Sequence, residues 1–129
     1  MTLTDPLANM LSNVLNSEKA SKGDCTVKSS KTIKKVLKIM QENRYVGGFE
    51  EIESTRGAEV RINLIGSINK CGVVKPRHAV KVDEYTKFEK RYLPAKDFGI
   101  LIISTSKGIM AHAQAKEKNL GGKLLAYCY

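Results

Sequence analysis

From Pro6 onward the apolar residues Leu7, Met10, Leu11, Val14 and Leu15 recur at the spacing of one helix face. Asp5 stands where a cap accepts from free amides, and Pro6 suits the first helical position because it has no N–H to lose. The pattern predicts a helix ending between Asn16 and Ala20, a loop at 21–24 and a short strand over 25–28. Ser29-Ser30 then introduces a second helix, Lys31 to Arg44, with Ile33, Val36, Leu37 and Met40 inward and Lys31, Lys34, Lys35 and Lys38 toward the other side. Gly47-Gly48 is expected to break the chain. Two strands follow, Phe49 to Ser54 and Ala58 to Ile65, joined by a glycine-ended turn at 54–57. In the second, Ala58, Val60, Ile62 and Leu64 alternate with Glu59, Arg61 and Asn63.

Beyond Gly66 the pattern changes. Residues 67–81 are basic and irregular, with Ile68, Cys71, Val73 and Val74 as a strand candidate. The stretch 83–93 mixes charge with Tyr85, Phe88 and Tyr92; one helical turn is expected there, ending at Pro94. Gly99-Ile100-Leu101-Ile102-Ile103 is short, β-branched and uncharged, which reads as a strand buried on both faces. It leads into Ser104-Thr105-Ser106-Lys107-Gly108, read as a tight turn. Residues 111–119 form a short helix, Gly121-Gly122 is expected to stop it, and 123–129 closes as a strand. The expected fold class is α+β: two small packed domains, an α-β-α-β-β unit over 1–66 and a mostly β domain with a short helix over 67–129.

Composition sharpens this picture. The 129 residues carry 22 Lys and Arg against 13 Asp and Glu, a net charge of +9. A polyanion is therefore the favoured partner, nucleic acid before membrane. No apolar run is long enough to span a bilayer, and the first residues lack the basic start and apolar stretch of a signal peptide. Cys25, Cys71 and Cys128 are odd in number and far apart, which argues for a reducing compartment and against a disulfide scaffold.

Catalysis finds no support. His78 lies in a basic loop and His112 on a helix that reads as exposed, neither near a nucleophile in sequence. Cys71 with His78 is the one conceivable pair, and a cysteine in an apolar strand is more often inert. Metal-ligand spacing, a phosphate loop and a dinucleotide fingerprint are all missing. Glu50 and Glu51 point to opposite strand faces and cannot share a substrate. No catalytic residue, metal, cofactor or small-molecule substrate is expected.

The hydroxyl-rich turn is the better candidate. Ser104, Thr105 and Ser106 each offer a donor and two acceptor lone pairs, and Gly108 permits close approach to the backbone. That chemistry suits base edges, 2′-hydroxyls and phosphates. The same five residues also suit an ordinary solvated turn, and spacing alone does not separate the two. Lys31, at a helix N-terminus that welcomes phosphate, with Lys70, Lys75 and Arg77, would add phosphate contacts.

Three stretches together resemble the family of the eighth protein of the small ribosomal subunit. They are Asp5-Pro6-Leu7-Ala8-Asn9-Met10-Leu11; Phe98 to Met110, which contains the Ser-Thr-Ser-x-Gly turn; and Leu120-Gly121-Gly122 followed by Leu125-Ala126-Tyr127. The resemblance covers the chain in order and in length. It implies two packed α/β-type domains and a structural protein that binds the central domain of small-subunit ribosomal RNA directly and helps its assembly. It places Ser104, Thr105, Ser106 and Gly108 on the RNA, with Lys107 nearby, Lys31 from the first domain, and Thr4 and Asp5 as further positions. Bacterial members usually have an acidic residue after Gly-Gly, near the RNA; here Lys123 stands there. The stretch from Cys71 to Tyr92 looks more like archaeal and eukaryotic members, so no family aromatic is transferred onto Tyr85 or Tyr92. The implied setting is the cytoplasmic ribosome, among neighbouring small-subunit proteins, with a monomer when free. A repressor of its own messenger, a small RNA-acting enzyme and a module for an acidic protein are the alternative readings.

Overall fold

The structure is a computed structural model that describes residues 6–55, 57–74, 79–95 and 98–129. The chain divides into two compact units, one up to Lys70 and one from Cys71. Helices and antiparallel sheets are combined in each, so the fold class is α+β.

The first unit runs α1 (Pro6–Lys19), β1 (Asp24–Lys28), α2 (Lys31–Glu42), β2 (Val46–Ser54) and β3 (Gly57–Leu64). Its three strands are ordered β1-β3-β2, all antiparallel, so β3 is central and its Val60 and Ile62 are fully buried. The helix stripes bury as their spacing dictates: Leu7, Met10, Leu11 and Val14 on α1, and Ile33, Val36, Leu37, Ile39 and Met40 on α2. Leu15, at the margin of its stripe, stays half-buried.

Gly47-Gly48 does not break the chain. Both glycines lie inside β2, where the pairing shifts by one residue between Val46–Leu64 and Phe49–Ile62. Glycine accommodates such a bulge without ending the strand. A Cβ on Gly47 would stand 3.3 Å from Asn63 Cβ and from Ile65 Cγ2, so the missing side chain also makes room for the neighbouring strand.

Helix α2 stops two residues short of the expected Arg44 because Arg44 takes a left-handed φ of +63°. The Arg44 N–H donates to Gln41 O at 3.0 Å and the Tyr45 N–H to Met40 O at 2.9 Å, the paired bonds of a Schellman ending. Helix α1 ends the same way at Ser21 (φ +58°), with Ser21 N–H to Glu18 O and Lys22 N–H to Ser17 O.

The second unit runs β4 (Cys71–Val73), β5 (Ala79–Val80), a 3₁₀ turn (Val82–Glu84), α3 (Tyr85–Tyr92), β6 (Ile100–Thr105), β7 (Gly108–Ala111), α4 (His112–Glu117) and β8 (Gly122–Cys128). Its five-stranded sheet has the order β4-β8-β6-β7, with β5 beside the start of β8. Ile100 to Ile103 are all buried, which explains their unbroken apolar run.

The expectation for 83–93 understates the structure, which has a 3₁₀ turn followed by a two-turn helix. Tyr85 and Phe88 are core residues there, packed with Leu93, Leu101, Ile103, Met110, Ala115 and Leu124. The Tyr85 hydroxyl donates to Leu120 O at 2.7 Å, and burial pushes its pKa up. Packing against the sheet therefore overrides the charged look of the segment. Helix α4 likewise ends before the glycines, at Asn119 (φ +54°), where Asn119 N–H donates to Lys116 O and Leu120 N–H to Ala115 O.

Candidate nucleic-acid interface

The hydroxyl-rich segment is the β6–β7 hairpin. Ser104 pairs with Ile109 and Thr105 with Gly108, leaving Ser106-Lys107 as the exposed tip. Neither tip residue has a positive φ; the left-handed residue is Gly108, at +118°. Gly108 therefore supplies the conformation that a side chain disfavours, and a Cβ there would meet nothing within 4 Å.

The three hydroxyls are not equivalent. Thr105 Oγ1 donates to Gly108 O at 2.8 Å and accepts from the Lys107 N–H at 3.2 Å. Its donor is committed inside the turn, which it holds rigid. Ser106 and Lys107 are exposed at the tip, and Ser104 and Thr105 are half-buried beneath them.

Strand β8 brings Lys123 to the same place. Ser104 pairs with Lys123 and Thr105 with Gly122, while β5 covers the other side of β8 through Ala79–Lys123 and Val80–Gly122. The two glycines are what let the strands close here. A Cβ on Gly122 would overlap the Ser104 carbonyl oxygen and lie 2.8 Å from its carbon; one on Gly121 would lie 2.6 Å from Val80 O. Sequence reasoning misassigned this pair as a helix stop. A glycine needed for close approach across strands leaves no local pattern to read.

The structure thus gathers Ser104, Thr105, Ser106, Lys107, Gly108 and Lys123 at one end of one sheet. Lys70 is not among them: it precedes Cys71, whose partner Cys128 lies five positions along β8 from Lys123, roughly 17 Å at strand rise. Thr4, Asp5, Lys75 and Arg77 lie outside the described residues.

Lys31 belongs to the first unit. It is exposed at the first turn of α2, directly after the cap Ser30, whose Oγ accepts from the Ile33 N–H at 3.1 Å. Ser29 and Ser30 border a groove of about 700 Å³, shared with Asn9, Asn13 and Lys28. Lys34 is turned away to Glu51, at 2.8 Å, and that contact lowers the Glu51 pKa.

His112 is the residue whose surroundings differ most from expectation. It is buried, not surface-like. Its Nδ1 accepts from the Leu101 N–H at 3.0 Å, which puts the ring proton on Nε2, and Nε2 lies 3.2 Å from buried Glu89 Oε1. Lys116 Nζ closes on the same oxygen. Both ring nitrogens are engaged, so this imidazole ties α3, β6 and α4 together and leaves no site for proton transfer to a substrate. His78, the other imidazole, lies outside the described residues.

No helix is long and apolar enough to cross a membrane, among the described residues. What the unit does present is a rigid hydroxyl turn flanked by two lysines, on a chain of net charge +9. A family model, ribosomal protein S8, matches residues 5–129, and with nearly its whole length covered the chain belongs to that family of small-subunit ribosomal proteins, which bind ribosomal RNA and serve translation.

Proposed function

We propose that this chain binds the central domain of small-subunit ribosomal RNA directly, as a monomer in the cytoplasm, and helps that domain assemble. The observation that supports this reading is the β6–β7 tip, where exposed Ser106 and Lys107 stand over a turn locked by Thr105, with Lys123 alongside. RNA helices present a shallow minor groove with 2′-hydroxyls and, at irregularities, unpaired base edges. Ser104, Ser106 and the backbone at Gly108 supply donors and acceptors for those groups. Because the turn is rigid before binding, little conformational freedom is lost on contact. Lys107, Lys123 and Lys31, with Lys70, Lys75 and Arg77, supply phosphate contacts, which give affinity and salt dependence more than selectivity. Thr4 and Asp5 complete the proposed contact set.

The test is affinity for a central-domain stem against an unrelated stem of equal length, over a salt series, for wild type, Ser106→Ala and Lys31→Ala. The expected result is a preference that survives high salt. Ser106→Ala loses one desolvated hydrogen bond, about 1–3 kcal/mol of that preference. Lys31→Ala weakens both stems alike and flattens the salt slope. Equal binding of both stems that collapses with salt would overturn the proposal.

A further inference from the structure

Cys71 on β4 and Cys128 on β8 are direct cross-strand partners. The Val74 N–H donates to Leu125 O at 2.9 Å, and Val74 and Leu125 continue the same register. Hydrogen-bonded and non-hydrogen-bonded pairs alternate along an antiparallel ladder. Counting back from Val74–Leu125, Gly72–Tyr127 is a hydrogen-bonded pair and Cys71–Cys128 is not. Non-hydrogen-bonded pairs bring Cα atoms to about 4.5 Å and their side chains closest together, within the roughly 4.4–6.8 Å that disulfides span. Alternation also separates the faces. The Tyr127 ring lies over Gly72 on one side, and both cysteine side chains project to the other. All three cysteines of the chain are thiols; Cys25 is in the first unit, opposite Ile62.

We infer that Cys71 and Cys128 form a site of covalent modification, a cross-strand disulfide made when the protein meets hydrogen peroxide. Burial protects the pair at rest, with Cys71 5% and Cys128 0% exposed. Strand β4 is three residues long and forms the edge of the sheet, so its local opening gives the oxidant access. One thiolate attacks the peroxide O–O bond, takes one oxygen as a sulfenic acid and releases the other as water after protonation. The second thiolate attacks that sulfenic sulfur, the S–S bond forms, and a second water leaves. Two electrons pass from the two sulfurs to the peroxide, and both thiol protons end in water. The cross-link ties the edge strand to β8, the strand that carries Lys123 at its other end.

The experiment treats reduced protein with hydrogen peroxide, quenches, and counts thiols after denaturation. Peptide mass mapping without reductant locates any link, and a melting scan follows. The thiol count is expected to fall from three to one. A Cys71–Cys128 peptide pair lighter by two hydrogens appears, and Tm rises by at least about 5 °C because the unfolded chain now carries a long closed loop. Dithiothreitol reverses all three changes. Cys25→Ser keeps the behaviour, and Cys71→Ser abolishes it. The inference is overturned if three thiols persist under peroxide that fully oxidises glutathione. It is equally overturned if the two cysteines are recovered as sulfinic acids or as links between molecules.

Discussion

Gly122→Ala tests whether the Gly-Gly segment serves strand approach. Gly122 has no positive φ, so alanine suffers no backbone penalty there and the whole effect is steric. The new Cβ would lie 2.8 Å from Ser104 C and 3.1 Å from Ile103 Cγ2, and would overlap the Ser104 oxygen outright. Carbon atoms in good contact stand about 3.5–4.0 Å apart, so β8 must retreat from β6 by about 1 Å. That strains the ladder at Thr105–Gly122 and Ser104–Lys123. Losing two ladder bonds and leaving their groups poorly paired costs about 3–5 kcal/mol, a large share of the roughly 5–15 kcal/mol typical of a whole protein. Urea unfolding at 25 °C, with the slope monitored, measures it. Two controls isolate the cause. Gly108→Ala meets no atom within 4 Å but must hold φ +118°, so it pays conformational strain alone, about 1–2 kcal/mol. Gly23→Ala meets nothing and keeps an ordinary φ, so it is neutral or stabilising by up to about 1 kcal/mol. A Gly122→Ala protein within 0.5 kcal/mol of wild type, or no worse than Gly108→Ala, would refute the reasoning.

The remaining predictions concern single interactions. Tyr85→Phe removes the hydrogen bond to Leu120 O and lowers the urea-derived stability by about 1 kcal/mol at pH 7. The folded-state pKa of Tyr85 is raised above 10, so its contribution is fully present below pH 10 and is lost as pH rises through the raised value; the variant's stability should fall less steeply in that alkaline range. Glu89→Ala removes the buried carboxylate that faces both His112 Nε2 and Lys116 Nζ, and should cost about 2–4 kcal/mol by denaturant unfolding. Ser21→Gly relieves a left-handed residue at the end of α1 and should raise stability by about 0.5–1 kcal/mol.

Local chemistry makes much of this protein legible from its sequence. The stripes of α1 and α2 and the alternation of β3 each repeat at the period of their own backbone, and the unbroken apolar run of β6 matches a strand buried on both faces, so pattern and structure agree. The family resemblance was legible for the same reason, because Ser104 to Gly108 and Leu120-Gly121-Gly122 are contiguous motifs. The errors share another cause. Gly47-Gly48 and Gly121-Gly122 look like breaks because glycine weakens local structure, yet what decides their role is a neighbouring strand distant in sequence.

The sequence by itself determined the α+β class, the type and rough extent of most elements, the basic surface and the hydroxyl turn. Those follow from propensity, periodicity and charge, which act over a few residues. Only the tertiary structure decided that Lys123 stands beside Ser104, and that the Thr105 hydroxyl is held within the turn while Ser106 is exposed. It alone showed that His112 is a buried tie to Glu89 and Leu101, and that Cys71 faces Cys128. Strand pairing sets these neighbours. One step of register moves every side chain to the opposite face, so which groups meet depends on the folded sheet rather than on any single stretch of chain.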